Sequence, residues 1–343
     1  MLRNIKNAHP FPYLQSFSVV STTAPSVTAT IGLGDAPNLA RGSAGVVTIG
    51  LKNTYGSVPP ITACMAGVTS GNGHAACITT AQTNSSLPIS NHTTGGVASD
   101  GTYEVISLGW RGNPQVPGLG QDVRSSKDRE RIIWCKINGT TGAIVYGAQD
   151  FACTRSTTGT YSFTIKRGFS RAPVVIATPI IANASGQRIP KLTAKSINAF
   201  TIEVRDRTPT LQDPSFLYVA VIGVDSIEET TREMSVLQGT QRKARMIAGR
   251  VSYSGGTPSV TVGTGDFTVA DTGTGICTIT LAKPFAREFA IIGGVRTGAR
   301  FSLETSTTTS VAVINTPTTA AGTLADPTSF DFIAIGSDDL TEY

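Results

Sequence analysis

Three histidines are the only imidazole side chains of the chain: His9, His74 and His92. A zinc site usually combines histidine or cysteine ligands a few residues apart, and neither His-x-x-x-His nor Cys-x-x-Cys occurs. A Ser-His-Asp triad stays open, because its members meet only in the folded chain. No Gly-x-x-x-x-Gly-Lys-Ser/Thr phosphate loop is present. We therefore predict no enzyme activity, no metal and no cofactor.

Acidic residues offer another chemistry, because glycosidases use a pair of carboxylates. The most prominent acids recur at matching places in copies of an internal repeat: Asp35, Asp150, Asp266, Asp213 and Asp326. The first three follow Gly-x-x and the last two precede proline, and both settings are typical of turns. Because a side chain present in every copy more economically serves the fold, we predict turn residues rather than a catalytic pair. The lack of an Asp-x-Asp-x-Asp run disfavours calcium.

Aromatic residues could stack on a sugar ring. Six phenylalanines recur in pairs between two copies of the repeat and are predicted to fill the cores: Phe151, Phe267, Phe169, Phe285, Phe216 and Phe330. Unrepeated aromatics are the better candidates for sugar stacking, although packing is the favoured prediction for these as well: Tyr55, Tyr146, Trp110 and Trp134.

The internal repeat carries two phrases in a fixed order. An opening phrase, Gly-x-x-Asp-Phe with a turn and an alternating strand, begins at Gly147 and again at Gly263. A closing phrase, Asp-Pro with an apolar strand, ends at Gly223 and Gly336, and a looser copy ends at Gly109. The closing glycines lie 114 and 113 residues apart. Units of this length can each bury a hydrophobic core, so we predict three domains rather than a solenoid.

The apolar pattern predicts seven or eight short strands in each unit. Residues 161–165 alternate apolar side chains with Ser or Thr, whereas residues 174–178 are nearly all apolar. The predicted fold is all-β: three tandem antiparallel β-sandwich domains, of jelly-roll or Ig-like type, with short partly helical linkers. The predicted segments are an N-terminal arm (1–15), repeat 1 (16–110), a linker (111–130), repeat 2 (131–223), a linker with a helical pattern (224–243), repeat 3 (244–336) and a tail (337–343).

The charge pattern disfavours nucleic acid as a partner. The net charge is +5, but no block of five basic residues occurs and aromatics are 7% of the chain, whereas nucleic-acid grooves combine clustered basic residues with stacking aromatics.

No apolar run is long enough for a membrane span or a signal peptide, so we predict synthesis in the cytoplasm. Five cysteines are too few for a disulfide scaffold, and buried thiols are favoured. Cys64 and Cys77 could face each other across neighbouring strands, which leaves their pairing open.

The N-terminal arm cannot be helical near Pro10 and Pro12. It combines basic and apolar side chains that could dock it on a neighbouring subunit: Arg3, Lys6, His9, Phe11 and Tyr13. A frayed terminus is the equal alternative.

The repeated phrases carry a resemblance. Gly-Asp-Phe-Thr-Val from residue 265, the Thr-Gly-Thr-Gly-Ile-Cys-Thr-Ile-Thr-Leu segment after it, and the closing Ser-Phe-Asp-Phe-Ile-Ala-Ile-Gly resemble β-sandwich repeats of tailed-bacteriophage virion surface proteins. Such modules occur in tail fibres and in capsid decoration proteins. The resemblance covers repeats 2 and 3 well and repeat 1 loosely, because repeat 1 lacks Phe after Asp35 and Asp-Pro before its last strand. It implies a location on the virion surface and brings no catalytic residue.

The leading functional prediction is therefore a non-enzymatic virion structural protein, a capsid decoration or cement protein that stabilises the shell. Its predicted partners are the major capsid protein or other virion proteins and further copies of itself, with a trimer as one form. Three modules of one chain could instead lie around a pseudo-threefold axis. The alternative is a tail-fibre or receptor-binding protein that recognises a host surface glycan, and a polysaccharide hydrolase is third.

Overall fold

The computed structural model describes most of each repeat. The described residues are 13–21, 27–33, 37–43, 45–51, 61–66, 75–78, 83, 85–92, 99–109, 130–147, 150–180, 188–206, 210–224, 244–285, 289–296, 299–307, 310–317 and 324–337. They form 24 strands, which confirms the predicted all-β class for this part of the chain. None of these residues belongs to a helix that could span a membrane. The linkers predicted to be partly helical lie outside the described residues, apart from Glu130 and Val224.

Each repeat contributes eight strands. The first contains β1 (Tyr13–Ser21), β2 (Val27–Leu33), β3 (Asn38–Arg41), β4 (Val46–Gly50), β5 (Ile61–Ala66), β6 (Ala75–Ile78), β7 (Ser86–His92) and β8 (Thr102–Gly109). The second contains β9 (Glu130–Asn138), β10 (Ile144–Gly147), β11 (Phe151–Thr157), β12 (Thr160–Ile165), β13 (Val174–Ile180), β14 (Ile189–Lys195), β15 (Ala199–Arg205) and β16 (Phe216–Val224). The third contains β17 (Ala244–Ser254), β18 (Thr257–Gly263), β19 (Phe267–Gly273), β20 (Ile276–Leu281), β21 (Ala290–Arg296), β22 (Ala299–Ser306), β23 (Ser310–Pro317) and β24 (Ser329–Ser337).

The eight strands of a repeat divide into two four-stranded halves. In the first repeat one half has the order β2-β1-β8-β5 and the other β3-β4-β7-β6, and the second and third repeats use the same order for their own strands. Neighbours within a half are antiparallel, and the first and last strands of a repeat always pair. The repeat found in the sequence is therefore also a repeat of strand topology.

Each half continues edge to edge into a half of another repeat, which gives three eight-stranded sheets. The joining pair is parallel every time and always involves the fifth strand of one repeat and the sixth strand of the next: β5 with β14, β13 with β22, and β21 with β6. The last of these pairs, Arg296 with Ile78, connects the third repeat to the first. The three repeats consequently close into a ring.

The fifth strands β5, β13 and β21 lie against one another inside this ring. All seven residues of β13 are buried, because one face packs within its own repeat and the other against the neighbouring repeats. This is the reason for its nearly continuous apolar sequence. By contrast, β12 and β15 bury only every second residue, and their Ser, Thr and Glu side chains point the other way.

Five of the six recurring phenylalanines are buried as predicted: Phe151, Phe169, Phe267, Phe285 and Phe330. Phe216, at the start of β16, is only partly buried and packs against the edge of the core. In the second repeat, the rings of Phe163 and Phe200 stack with centroids 4.6 Å apart, and Phe151 meets both edge-on.

The sequence led us to expect a separate apolar core in each repeat, but the structure shows that the repeats share one. A single buried cluster extends through the second and third repeats and includes Ala63, Met65 and Ile106 of the first. A smaller cluster lies within the first repeat, where Phe17 and Tyr103 of one half pack with Val47 and Leu87 of the other half. The residues that join the large cluster lie on β5, which packs against the second and third repeats, and on β8, which packs against the second. The repeats therefore share apolar surface as well as sheets.

The first strand begins earlier than predicted. Tyr13 pairs with Gly109, so the strand includes three residues that were assigned to the arm. Cys64 lies on β5 and Cys77 on β6, and these strands belong to different sheets rather than being paired neighbours. Cys135 and Cys277 are buried thiols, and burial raises the pKa of Cys277 to about 11.

Candidate functional site at the junctions between repeats

The three junctions share one structural position, the third residue of the eighth strand. The sequence places Glu104, Tyr218 and Asp331 there, each five residues before the closing glycine of its repeat. All three side chains are buried. Opposite them on the first strand lie Ser18, Lys136 and Arg250 in the same register. Charged residues occupy this position in two repeats although the surrounding strands are apolar, so two of the junctions place a buried charge within an apolar interior.

The junction between the third and first repeats is held by Asp331. Its carboxylate accepts two charge-assisted hydrogen bonds from Arg250, at 2.7 Å from Nε and 2.9 Å from Nη2. The backbone N–H of Thr62, on β5 of the first repeat, donates to Asp331 Oδ2 at 2.9 Å. Asp331 has no exposed surface and Arg250 has little. One buried carboxylate thus neutralises a cation of its own repeat and binds the backbone of the next.

Glu104 plays the corresponding part between the first and second repeats. Lys195, at the end of β14, donates to both carboxylate oxygens at 2.7 and 2.9 Å, and the Ser18 hydroxyl does so at 2.9 Å. The backbone N–H of Val175, on β13, donates at 3.3 Å. Burial raises the pKa of Glu104, and the Lys195 ammonium and the hydrogen bonds oppose that rise. Here the cation comes from the neighbouring repeat instead of from the first strand of the same repeat.

The third junction has an aromatic residue at the same position. Tyr218 is buried on β16 beside Lys136, whose ammonium lies 4.3 Å from the ring centroid of Phe216 and 5.6 Å from that of Tyr218. Cation–π attraction of this kind is strongest when the cation is desolvated, and Lys136 is buried. The three junctions are thus equivalent in backbone position and different in chemistry.

A second repeated arrangement, which we call the turn clamp, links the aspartate of the closing phrase to the turn between the third and fourth strands. In the first repeat, Asp100 accepts the Gly45 N–H at 3.0 Å and a hydrogen bond from Arg41 Nη2 at 2.7 Å. Gly45 has a φ of 72°, a conformation that glycine adopts without strain. The hydrogen bond from Arg41 lowers the pKa of Asp100 to about 2, against the opposing effect of burial.

The second turn clamp adds a tyrosine. Asp213 accepts the Gly159 N–H at 2.7 Å, the Tyr161 hydroxyl at 2.9 Å, and Arg155 Nη2 at 2.7 Å. In the third, Asp326 accepts the Gly275 N–H at 2.6 Å. Burial raises the pKa of Asp213, but the hydrogen bonds from Arg155, Gly159 and Tyr161 outweigh it and the pKa is lowered. The predicted turn role of Asp213 and Asp326 is therefore confirmed.

The first turn clamp predicts an acid-dependent loss of stability. Because the folded pKa of Asp100 lies below its ordinary value of 3.8, its contribution is present above that pH and is lost as pH falls towards 2. We expect Asp100→Asn to reduce the free energy of unfolding at neutral pH by about 1–2 kcal/mol, allowing for partial exposure, and to flatten its decline in acid. Urea unfolding across this pH range measures both effects. Asp326→Asn, at the clamp without an arginine, is the matched control, and equal acid slopes for Asp100→Asn and the wild type would contradict the assignment.

The other predicted acids have smaller roles. Asp150 forms an ion pair with the buried Arg131 at 3.1 Å, and its backbone carbonyl accepts the Lys166 N–H at 2.8 Å. The carbonyl of Asp266 accepts the Ala282 N–H in the same way, while its side chain is exposed. Asp35 lies outside the described residues. The structure does not bring Asp150, Asp213 and Asp326 together into one cluster, since each belongs to its own repeat and turn.

The remaining candidates are placed as follows. Trp134 is buried on β9, in agreement with the packing prediction. His92 ends β7 and Tyr146 lies on β10, and their side chains are not described. Tyr13 lies on β1. Several candidates fall outside the described residues: Arg3, Lys6, His9, Phe11, Tyr55, His74 and Trp110.

Metal binding has no support in the described part of the chain, where no three His, Cys, Asp or Glu side chains are grouped as ligands. Comparison with protein-family models, with curated proteins and with solved structures found no match. A functional argument therefore has to start from the junctions and turn clamps themselves.

Proposed function

We propose that the protein is a non-enzymatic structural component of a virion surface, in which three β-sandwich repeats act as one rigid unit. Within that class we favour a capsid decoration or cement protein. The observation that carries the proposal is the closure of the ring, with Asp331 of the third repeat bonded to the backbone of the first. The buried carboxylates Glu104 and Asp331 form hydrogen bonds between repeats, and such bonds suit a structural protein whose repeats must keep a fixed arrangement.

The ring supports docking by a rigid surface. Sheets that continue from repeat to repeat leave little freedom between them, so binding to a shell would cost little conformational entropy. The outer strands β18 and β19 expose many Thr, Ser and other polar side chains, which suits a broad hydrogen-bonding contact. Burial of such a surface across neighbouring capsid subunits would stabilise the shell by mass action, without chemistry.

The closed ring also bears on self-association. A chain that already places three equivalent repeats around a common centre has no need of two further copies to complete a threefold arrangement. We therefore propose one chain per docking position, in place of a homotrimer. Light scattering of the purified protein would report a monomer mass, and a stable trimer would overturn this part of the proposal.

The copy number in purified particles tests the virion role. Quantitative mass spectrometry against the major capsid protein should give a copy number comparable with the number of shell positions, and particles that lack the protein should release their contents at a lower temperature. A far smaller copy number would instead support the tail-fibre alternative, with a host glycan as ligand. Absence from particles, or hydrolysis of an envelope polysaccharide by the purified chain, would overturn the structural role.

A further inference from the structure

The third turn clamp lacks the arginine that the other two contain. Arg41 and Arg155 each lie four residues before the clamp glycine on the third strand of their repeat, and Asp271 occupies that position in the third repeat. The strand register confirms the equivalence, because Arg155 pairs with Tyr161 and Asp271 with Cys277, each two residues after the clamp glycine. Where two repeats place a cation beside the clamp aspartate, the third thus places a second carboxylate.

The first and second turn clamps, in which an arginine lies beside the aspartate, are called filled clamps here, and they show which group binds the aspartate carboxylate. Arg155 donates to both oxygens of Asp213, from Nε at 3.1 Å and from Nη2 at 2.7 Å. Arg41 donates to Asp100 in the same two-point manner, at 3.3 and 2.7 Å. In each case the glycine N–H binds the carboxylate as well, which fixes its orientation. The backbone arrangement is therefore suited to a planar guanidinium beside the carboxylate.

The third clamp keeps the carboxylate and the glycine but is open. Asp326 and Asp271 are both exposed, and neither forms an ion pair with another residue of the described chain. Asp326 still accepts the Gly275 N–H at 2.6 Å, as in the filled clamps. Asp271 Oδ1 accepts the Gly273 N–H at 3.1 Å, which holds its carboxylate in the same turn as the clamp glycine. The site thus offers two exposed carboxylates at one turn, where the other two clamps pair a carboxylate with an arginine.

We propose that the third turn clamp is a receptor for an arginine side chain of a partner polypeptide. The guanidinium would take the place that Arg41 and Arg155 occupy in the first two clamps, with its two N–H groups on Asp326, and Asp271 would add a second charge. A divalent metal fits less well, because no third acidic or thiolate ligand joins the pair within the described chain. The inference does not depend on the proposed virion role, since it uses only the comparison of the three clamps.

The test uses the full chain labelled with ¹⁵N and titrated with methylguanidinium chloride. The amide signals of Gly45 and Gly159 provide internal references, because their clamps are already filled. We expect a saturable shift at Gly275 that is several times larger than at the two reference glycines. Methylammonium at equal ionic strength should shift Gly275 less, because it cannot form two parallel hydrogen bonds.

Two substitutions at an exposed position separate binding from folding. Asp271→Arg supplies the missing guanidinium from within the chain, so it should abolish the methylguanidinium-induced shift and raise the melting temperature by about 1–3 °C. Asp271→Asn removes one charge without filling the site and should weaken binding only in part. Equal shifts at Gly45, Gly159 and Gly275, or a larger effect of calcium chloride than of methylguanidinium on Gly275, would overturn the proposal.

Discussion

Replacing Asp331 with alanine should reduce the free energy of unfolding by about 3–5 kcal/mol, which is the typical cost of removing one partner from a buried ion pair. The substitution leaves the Arg250 guanidinium buried without this carboxylate and takes away the acceptor of the Thr62 N–H. Urea unfolding followed by circular dichroism measures the global loss. Hydrogen exchange at the Thr62 amide should accelerate beyond that global effect if the junction opens first.

The controls for this prediction are an isosteric and an exposed substitution. Asp331→Asn keeps an oxygen acceptor for the Thr62 N–H but not the charge, so its loss of stability should be intermediate. Asp266→Ala alters an exposed carboxylate of the same repeat and should change stability by about 0.5 kcal/mol or less. If Asp331→Ala costs no more than Asp266→Ala, the junction does not depend on this contact.

Replacing Lys195 with methionine should cost about 3 kcal/mol at alkaline pH, because it leaves Glu104 buried without its cation. Burial already raises the pKa of Glu104, and the loss of Lys195 should raise it further. A group with a raised folded pKa contributes its full stability below the unfolded value, here 4.5, and loses that contribution as pH rises through the folded pKa. The loss of unfolding free energy caused by Lys195→Met should therefore become smaller as pH falls towards 4.5.

Unfolding experiments at several pH values distinguish this effect from a simple loss of packing, which would be independent of pH. Lys166→Met, at an exposed lysine of the same repeat, is the matched control and should show neither the loss nor the pH dependence. Adding Glu104→Gln to Lys195→Met should restore part of the stability at alkaline pH. A loss of stability of the same size at every pH would show that Lys195 does not lower the pKa of Glu104 in the folded protein.

The sequence was most informative where structure is local. The alternation in residues 161–165 predicted β12, and the apolar run in residues 174–178 predicted β13. Asp213 and Asp326 were assigned to turns because they recur before proline, and their bonds to glycine N–H groups follow that logic. These features depend on neighbours in the chain, so a repeated local phrase is sufficient to find them.

The joining of the sheets could not be predicted in this way. β21 and β6 pair through only one registered residue pair and are separated by most of the chain. Nothing in a strand sequence specifies which distant edge it will meet. A signal was nevertheless available for the junction residues, because Glu104 and Asp331 interrupt otherwise apolar closing strands at the same position. The equivalent Tyr218 obscured that signal, since the charge does not recur in the second repeat.

Closure of the ring has a consequence for how the protein is made on the ribosome. The first repeat leaves the exit tunnel with the edge of β6 uncovered, and its partner β21 begins 212 residues after β6 ends (290 − 78). Until then the nascent chain carries an open sheet edge, the type of surface that attracts other unfinished chains. We expect ribosome-bound fragments that end before β21 to aggregate or recruit chaperones. Chains that include β21 should do neither, because β21 covers the open edge of β6 when the ring closes.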